Sequence, residues 1–292
     1  MTQSGHSRTY SKNNANVFIE TRDPTEGTTM AETQIRFEDG LSYERYMGDW
    51  SRRVGTVFIE WLAPLSGLKW IDVGCGNGAF TELIVERCAP KEVRGIDPSE
   101  AQLDFARKRS ATQLAKFDHG DAMALPFPAD TFDVAIMALV IFFVPDPARG
   151  VAEMTRVVRP GGMVAAYAWD VLGGGFPLEP LRIELREMGL KPVDPPSVDA
   201  SRIEVMRDLW TGAGLEAVET REITVQRTFS NFEEFWQITS LGAPSLRPTL
   251  AAMSPTDVEL FKTRVRARLR VDAAGHITYG SRANAIKGRV SA

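Results

Sequence analysis

Between Trp70 and Trp169 the chain repeats one pattern: a short apolar run, a turn, then apolar residues at helical spacing. Trp70–Val73 ends in a glycine cluster, and Phe80, Leu83, Ile84 and Arg87 then follow the i, i+3, i+4, i+7 rule. Val93–Ile96 is a second apolar run. After it, Ser99-Glu100-Ala101-Gln102 reads as a capping box, and Arg107, Lys108 and Arg109 suit a last helical turn. A third strand is expected around Lys116–His119. Phe132–Val144 is a continuous apolar run, which predicts one strand covered on both faces. Asp146-Pro147 starts a helix, Arg159-Pro160-Gly161-Gly162 stops it, and Met163–Trp169 is a fifth strand. Strands that alternate with helices pair in parallel. The expected class is α/β: a doubly wound, Rossmann-like, mostly parallel sheet with helices on both faces.

The flanks are less regular. Residues 1–40 are polar and aperiodic, which predicts a flexible tail, and Met30 is read as the natural start. From Leu41, apolar residues at Tyr43, Tyr46, Trp50, Val54, Val57, Phe58, Trp61 and Leu62 predict an amphipathic helix up to Pro64. Beyond Asp170, helices are expected at Leu178–Met188 and Arg202–Trp210, and long strands at Leu215–Phe229 and Ile277–Val290. A capping box is expected at Ser230-Asn231-Phe232-Glu233, and Ser254-Pro255 opens another helix. In Val265–Val271 apolar residues alternate with Arg264, Arg266, Arg268 and Arg270, so the period there permits helix or strand; the arginines read as a solvated face.

Composition narrows the partners. With 34 Lys+Arg against 38 Asp+Glu the net charge is -4, which argues against a dedicated nucleic-acid binder. Two cysteines and three histidines offer little for a disulfide framework or a zinc site, so no metal is expected. The longest apolar run, Val134–Val144, is too short to span a bilayer, and no membrane partner is expected. A cytoplasmic enzyme or small-molecule binder fits these limits.

The chemistry concentrates in Trp70-Ile71-Asp72-Val73-Gly74-Cys75-Gly76-Asn77-Gly78-Ala79-Phe80. Glycines at a strand-to-helix turn let backbone approach a ligand, and the helix start offers unpaired N–H groups. Gly74-x-Gly76-x-x-Ala79 with Asp97 also satisfies a relaxed dinucleotide fingerprint, so an NAD(P)-dependent oxidoreductase competes at this point. Asp72, two residues before the first glycine, favours a cationic group and would repel a pyrophosphate. Asp72, Asp97 and Asp121 stand at three successive strand ends. Together they suit a ligand with an ammonium, a ribose diol and an adenine amine, as S-adenosylmethionine has.

Residues of about 45–170 resemble class I S-adenosylmethionine-dependent methyltransferases, particularly the group resembling ubiquinone/menaquinone-biosynthesis methyltransferases. The resemblance is carried by Asp72-Val73-Gly74-Cys75-Gly76-Asn77-Gly78, Gly95-Ile96-Asp97-Pro98-Ser99, Gly120-Asp121-Ala122 with Leu125-Pro126-Phe127, and Phe132-Asp133-Val134. Val144-Pro145-Asp146-Pro147 and Glu153-Met154-x-Arg156-Val157-x-Arg159-Pro160-Gly161-Gly162 complete it. It implies a cofactor core at 70–170 within a methyltransferase domain at 41–292, and a seven-stranded sheet whose last strand returns antiparallel. The turn Gly74, Gly76 and Gly78 would approach the methionine part of S-adenosylmethionine, with Asp72 near its amino group. Asp97, followed by Pro98, would hold the ribose hydroxyls, Asp121 and the Ala122 backbone would meet the adenine, and Leu139 would lie beside the sulfonium. S-adenosylhomocysteine would be the product.

In one place the sequence departs from the family. Many relatives carry polar residues, often histidines, after the fourth strand, where this chain has Ile141-Phe142-Phe143. An apolar wall suits a small, apolar acceptor and methyl transfer by proximity and alignment; no catalytic acid or base is assigned. Phe142, Phe143, Trp169, Asp170 and Trp236 are the substrate-pocket candidates, for each of which core packing or capping is the alternative. Segments of about 171–200 and 230–275 are expected to form a helical cap over the ligand-binding ends of the strands. His119 and His276 are read as surface residues, and Cys75 as a small residue in a tight turn. A cofactor-binding relative without turnover remains a further alternative.

Overall fold

A computed structural model of the chain describes residues 44–109, 114–241, 243 and 245–292. The expected tail at 1–40 and Met30 lie outside the described residues, as do Leu41 and Tyr43. A π-helical turn, Glu44–Gly48, leads into helix α1 (Asp49–Leu62), which buries Trp50, Val54, Phe58 and Leu62 along one stripe. The alternating region follows as β1 (Lys69–Val73), α2 (Ala79–Cys88), β2 (Glu92–Asp97), α3 (Glu100–Lys108), β3 (Ala115–His119), β4 (Phe132–Ala138), α4 (Pro147–Val157) and β5 (Val158–Trp169). Then come α5 (Glu179–Glu187), α6 (Ile203–Gly212), β6 (Glu216–Phe229), α7 (Phe232–Trp236), α8 (Arg247–Ala252), α9 (Pro255–Arg268) and β7 (Ile277–Arg289). Helix starts follow their caps: Ser99 accepts from the Gln102 amide, Asp146 from Arg149, and Ser254 from Asp257.

The seven strands form one sheet in the order β3-β2-β1-β4-β5-β7-β6, parallel except for β7, which runs antiparallel to both β5 and β6. From β1 the chain steps outward to β2 and β3, then returns to β4 and steps the other way. Right-handed crossovers therefore place α2 and α3 on one face and α4 on the other. The order reverses between β1 and β4, and ligands of open α/β sheets bind at that point, beyond the carboxyl ends of the strands. On the α1 side of the sheet the Phe58 ring meets Tyr167 at 4.7 Å and Trp50 meets Trp169 edge-on at 6.3 Å. Trp210 of α6 donates its indole N–H to the Val164 carbonyl at 3.0 Å.

Four expectations change. The apolar run Phe132–Val144 is not one strand: β4 stops at Ala138, Leu139 turns with φ 62, and Ile141–Phe143 is a 3-10 turn. The turn is itself largely buried, so its composition matches that of a buried strand. Helix α4 ends at Val157, and Arg159-Pro160-Gly161-Gly162 forms the irregular start of β5, where the register with β4 shifts. The cap at 230 sits one residue later: Asn231 accepts from the Glu234 amide, while Glu234 reaches back to the Ser230 amide and hydroxyl. Finally, the arginine run belongs to helix α9 as far as Arg268. Arg264 and Arg268 both bind Glu184, whose side chain is 4% exposed, and both bind Glu187. That face is therefore an ion-pair seam between α9 and α5, which joins the two segments inserted after β5 and β6.

Candidate functional site

The carboxyl end of β1 runs into Gly74-Cys75-Gly76-Asn77-Gly78, and Gly78 caps α2. The Gly74 and Cys75 amides both donate to the Ile96 carbonyl, at 2.7 and 3.0 Å, which ties the turn to β2. A Cβ on Gly74 would lie 2.5 Å from Val140 Cγ1, so the loops after β1 and β4 touch at the base of the crevice. Gly76 differs: its φ is +51 and a Cβ there would meet nothing within 4 Å. The turn is thus packed from below and open above, which suits a ligand pressed against backbone.

Two carboxylates flank the turn. Asp72 is fully buried; its Oδ2 accepts the Thr81 hydroxyl proton at 2.6 Å, while Oδ1 has no partner among the described residues. Burial pushes its carboxyl up to about 7, opposed by the Thr81 bond and assisted by neighbouring Asp97. Asp97 ends β2, and its two oxygens accept the Gly76 and Ser99 amide protons, each at 2.8 Å. Burial raises its pKa, against the Ser99 and Gly76 amides and the charge of His119. A carboxylate oxygen can accept two hydrogen bonds, so with one amide on each, one site per oxygen remains for a vicinal diol. Pro98 is exposed beside it.

Asp121 is exposed after β3 and turns the chain by accepting the Met123 amide proton at 2.8 Å; Ala122 is half-buried. Sequence reasoning assigned no role to the residues that hold this loop. Glu153 accepts the Leu125 amide proton at 2.8 Å, Arg156 donates to the Phe127 and Leu125 carbonyls, and Arg149 donates to Met123. The Glu153-Met154-x-Arg156 motif of α4 therefore fastens the loop after β3. Thr81 and Glu82 went unnoticed too, because single polar residues on a helix carry no periodic signal; Arg109, expected in a last helical turn, instead pairs with Glu82 and donates to the Asn77 carbonyl at 2.6 Å.

The candidates beyond the cofactor turn are scattered. Leu139 is buried where β4 ends, and its amide donates to the Tyr167 carbonyl at 2.8 Å. Phe142 is buried against half-buried Phe143, and its carbonyl accepts the Ser197 amide proton. Trp169 is buried against Trp50. Asp170 is committed elsewhere: its carboxylate pairs with Arg282 and accepts the Gly173 amide proton, which fixes the glycine turn after β5. Trp236 stacks on Phe232 and meets Phe261 edge-on, inside the inserted segment. His119 and His276 are exposed, and Cys75 is buried in its turn.

Residues 71–166 match the family described as Methyltransferase domain. The sheet order above is that of the class I S-adenosylmethionine-dependent methyltransferase fold. Among characterised proteins, the chain is 45% identical over 96 residues to 2-methyl-6-phytyl-1,4-hydroquinone methyltransferase 2, chloroplastic, of Oryza sativa subsp. japonica, which covers 33% of this chain and 28% of that protein. It is 36% identical over 131 residues to demethylmenaquinone methyltransferase of Staphylococcus aureus, 44% of this chain and 52% of that one. The chain thus matches about half or less of the length of these relatives. Phosphoethanolamine N-methyltransferase 2 of Haemonchus contortus, solved with S-adenosyl-L-methionine, shares the fold with a TM-score of 0.53, at 18% identity over 86% of this chain and 56% of that one. Two observations fit that cofactor here: the open space above Gly76 and the unpartnered Asp72 Oδ1. No described helix is long and apolar enough to cross a membrane.

Proposed function

We propose that the chain transfers the methyl group of S-adenosylmethionine to a small, apolar organic acceptor by direct displacement and releases S-adenosylhomocysteine. The observation that carries this reading is the turn around Gly76, open above, with the Asp72 and Asp97 carboxylates at the ends of two adjacent strands. When bound, S-adenosylmethionine supplies an electrophilic methyl on a sulfonium. Asp72 would face the ammonium, Asp97 would take the two ribose hydroxyls at its free acceptor sites, and Asp121 with the Ala122 backbone would meet the adenine. Leu139 and the apolar, largely buried turn Ile141–Phe143 stand at the end of β4, where they would exclude water and leave alignment as the main source of rate.

The relatives' names support an aromatic, oxygen-bearing acceptor such as a hydroquinone. The segments at about 171–200 and 230–275, seamed through Glu184, would cover the acceptor. Both cysteines are buried and unpaired, in keeping with action in a reducing, cytoplasmic setting. The test is release of S-adenosylhomocysteine from S-adenosylmethionine in the presence of hydroquinones, phenols or amines. Turnover with the hydroquinones or phenols is expected. Binding of S-adenosylmethionine without turnover on any acceptor would instead favour a non-catalytic binder.

A further inference from the structure

Asp72 is a fully buried carboxyl group that accepts one hydrogen bond, from Thr81, among the described residues. The charged group that acts on it is Asp97 at the end of β2, and Asp72 acts in turn on the buried Cys75 thiol in the glycine turn; from α2 the uncharged Thr81 hydroxyl donates to Oδ2. No cation pairs with it among the described residues, and Oδ1 is left without a donor. A carboxyl in such a place is far more costly to bury ionised than neutral. We propose that Asp72 is the proton-exchange group of the cofactor site: it holds a proton in the ligand-free protein and gives it up as the ammonium of the ligand settles against Oδ1.

The inference rests on the S-adenosylmethionine reading above. The step balances simply: a neutral carboxylic acid and a free ammonium become a carboxylate–ammonium pair, and one proton passes to bulk water. No covalent bond other than the O–H is broken. The position of the carboxyl near 7 places this exchange in the range where cells live. Two consequences follow. Affinity for an ammonium-bearing ligand weakens on acidification below that value, toward about tenfold per pH unit for one linked proton. A ligand with the same ribose and adenine but no ammonium leaves Asp72 protonated and shows no such linkage.

Calorimetry on the full chain decides it, with S-adenosylhomocysteine and adenosine as probes at about pH 6, each in two buffers of different ionisation enthalpy. S-adenosylhomocysteine is expected to release close to one proton per molecule, with release fading by about pH 8.5, while adenosine releases none. Asp72→Asn is expected to bind S-adenosylhomocysteine without proton release. Should that variant fail to fold, the comparison of the two probes on the unaltered protein decides alone. Tight binding of S-adenosylhomocysteine with a buffer-independent enthalpy would overturn the proposal and leave the cofactor reading standing; so would equal proton release with adenosine. Absence of any S-adenosylhomocysteine binding would remove the cofactor reading and this proposal together.

Discussion

At the scale of single residues, the glycine turn separates two roles that its spacing alone does not. Gly74 is small because Val140 lies against it, whereas a Cβ on Gly76 would meet none of the described residues within 4 Å. Gly76→Ala is therefore expected to fold, at a cost of about 1–2 kcal/mol for a left-handed alanine. It should bind S-adenosylhomocysteine at least about tenfold more weakly, because the new methyl fills the ligand's space. Gly74→Ala should instead lower the unfolding midpoint with or without ligand. Titration calorimetry beside urea unfolding separates the two.

Asp97→Ala is expected to weaken cofactor binding by about 1.5–3 kcal/mol, the range for hydrogen bonds to a charged group; unaltered affinity would reject its assignment to the ribose. Asp72 carries a stability signature as well. Its carboxyl sits at about 7 when folded against an ordinary 3.8, so the folded chain binds the extra proton between those values. The stability this group supplies is full below about pH 4 and is lost as pH rises through 7. At about pH 8, Asp72→Asn should stabilise the ligand-free protein by up to about 4 kcal/mol, at about 1.4 kcal/mol per pKa unit. It should also flatten the dependence of urea midpoints on pH.

At the scale of elements, what the sequence made legible was whatever repeats with a period or sits at a helix start. All seven strands were expected, because burial on two faces or on alternate residues leaves a pattern in the chain, although β4 ends six residues earlier and β5 starts five earlier than expected. The loop after β4 was not legible, since a buried turn and a buried strand have the same composition. The seam between α5 and α9 was not legible either. Its arginines alternate with apolar residues, and only the position of Glu184, about eighty residues away in the chain, shows what they are for. Glu184→Gln replaces a buried carboxylate that serves two guanidinium groups, and a loss of about 1.5–3 kcal/mol is expected. Because the seam joins inserted segments, the loss should show as faster amide exchange in α5 and α9 with little change in β1–β4.

At the scale of the whole molecule, binding and stability are one measurement. A ligand that binds only the folded chain adds about 2.7 kcal/mol at a hundred times its Kd. S-adenosylhomocysteine should therefore raise the melting temperature by about 5–10 °C in a domain of this size, and NAD at the same concentration should not. A shift with NAD alone would return the glycine turn to the dinucleotide reading that its spacing also allows.

By itself, the order of residues determined the alternation of strands and helices, the direction of the sheet and the acids at three strand ends, because these depend on neighbours a few positions apart. It therefore located the cofactor turn. Only the tertiary structure decided which glycine faces a ligand and which faces a valine, and that Asp170 serves Arg282. It alone showed that Glu153 and Arg156 hold the loop after β3, and that one oxygen of Asp72 has no partner among the described residues. Each of these is set by a contact between distant parts of the chain. Burial and pairing, and hence the charge a group carries, exist only once those parts have met.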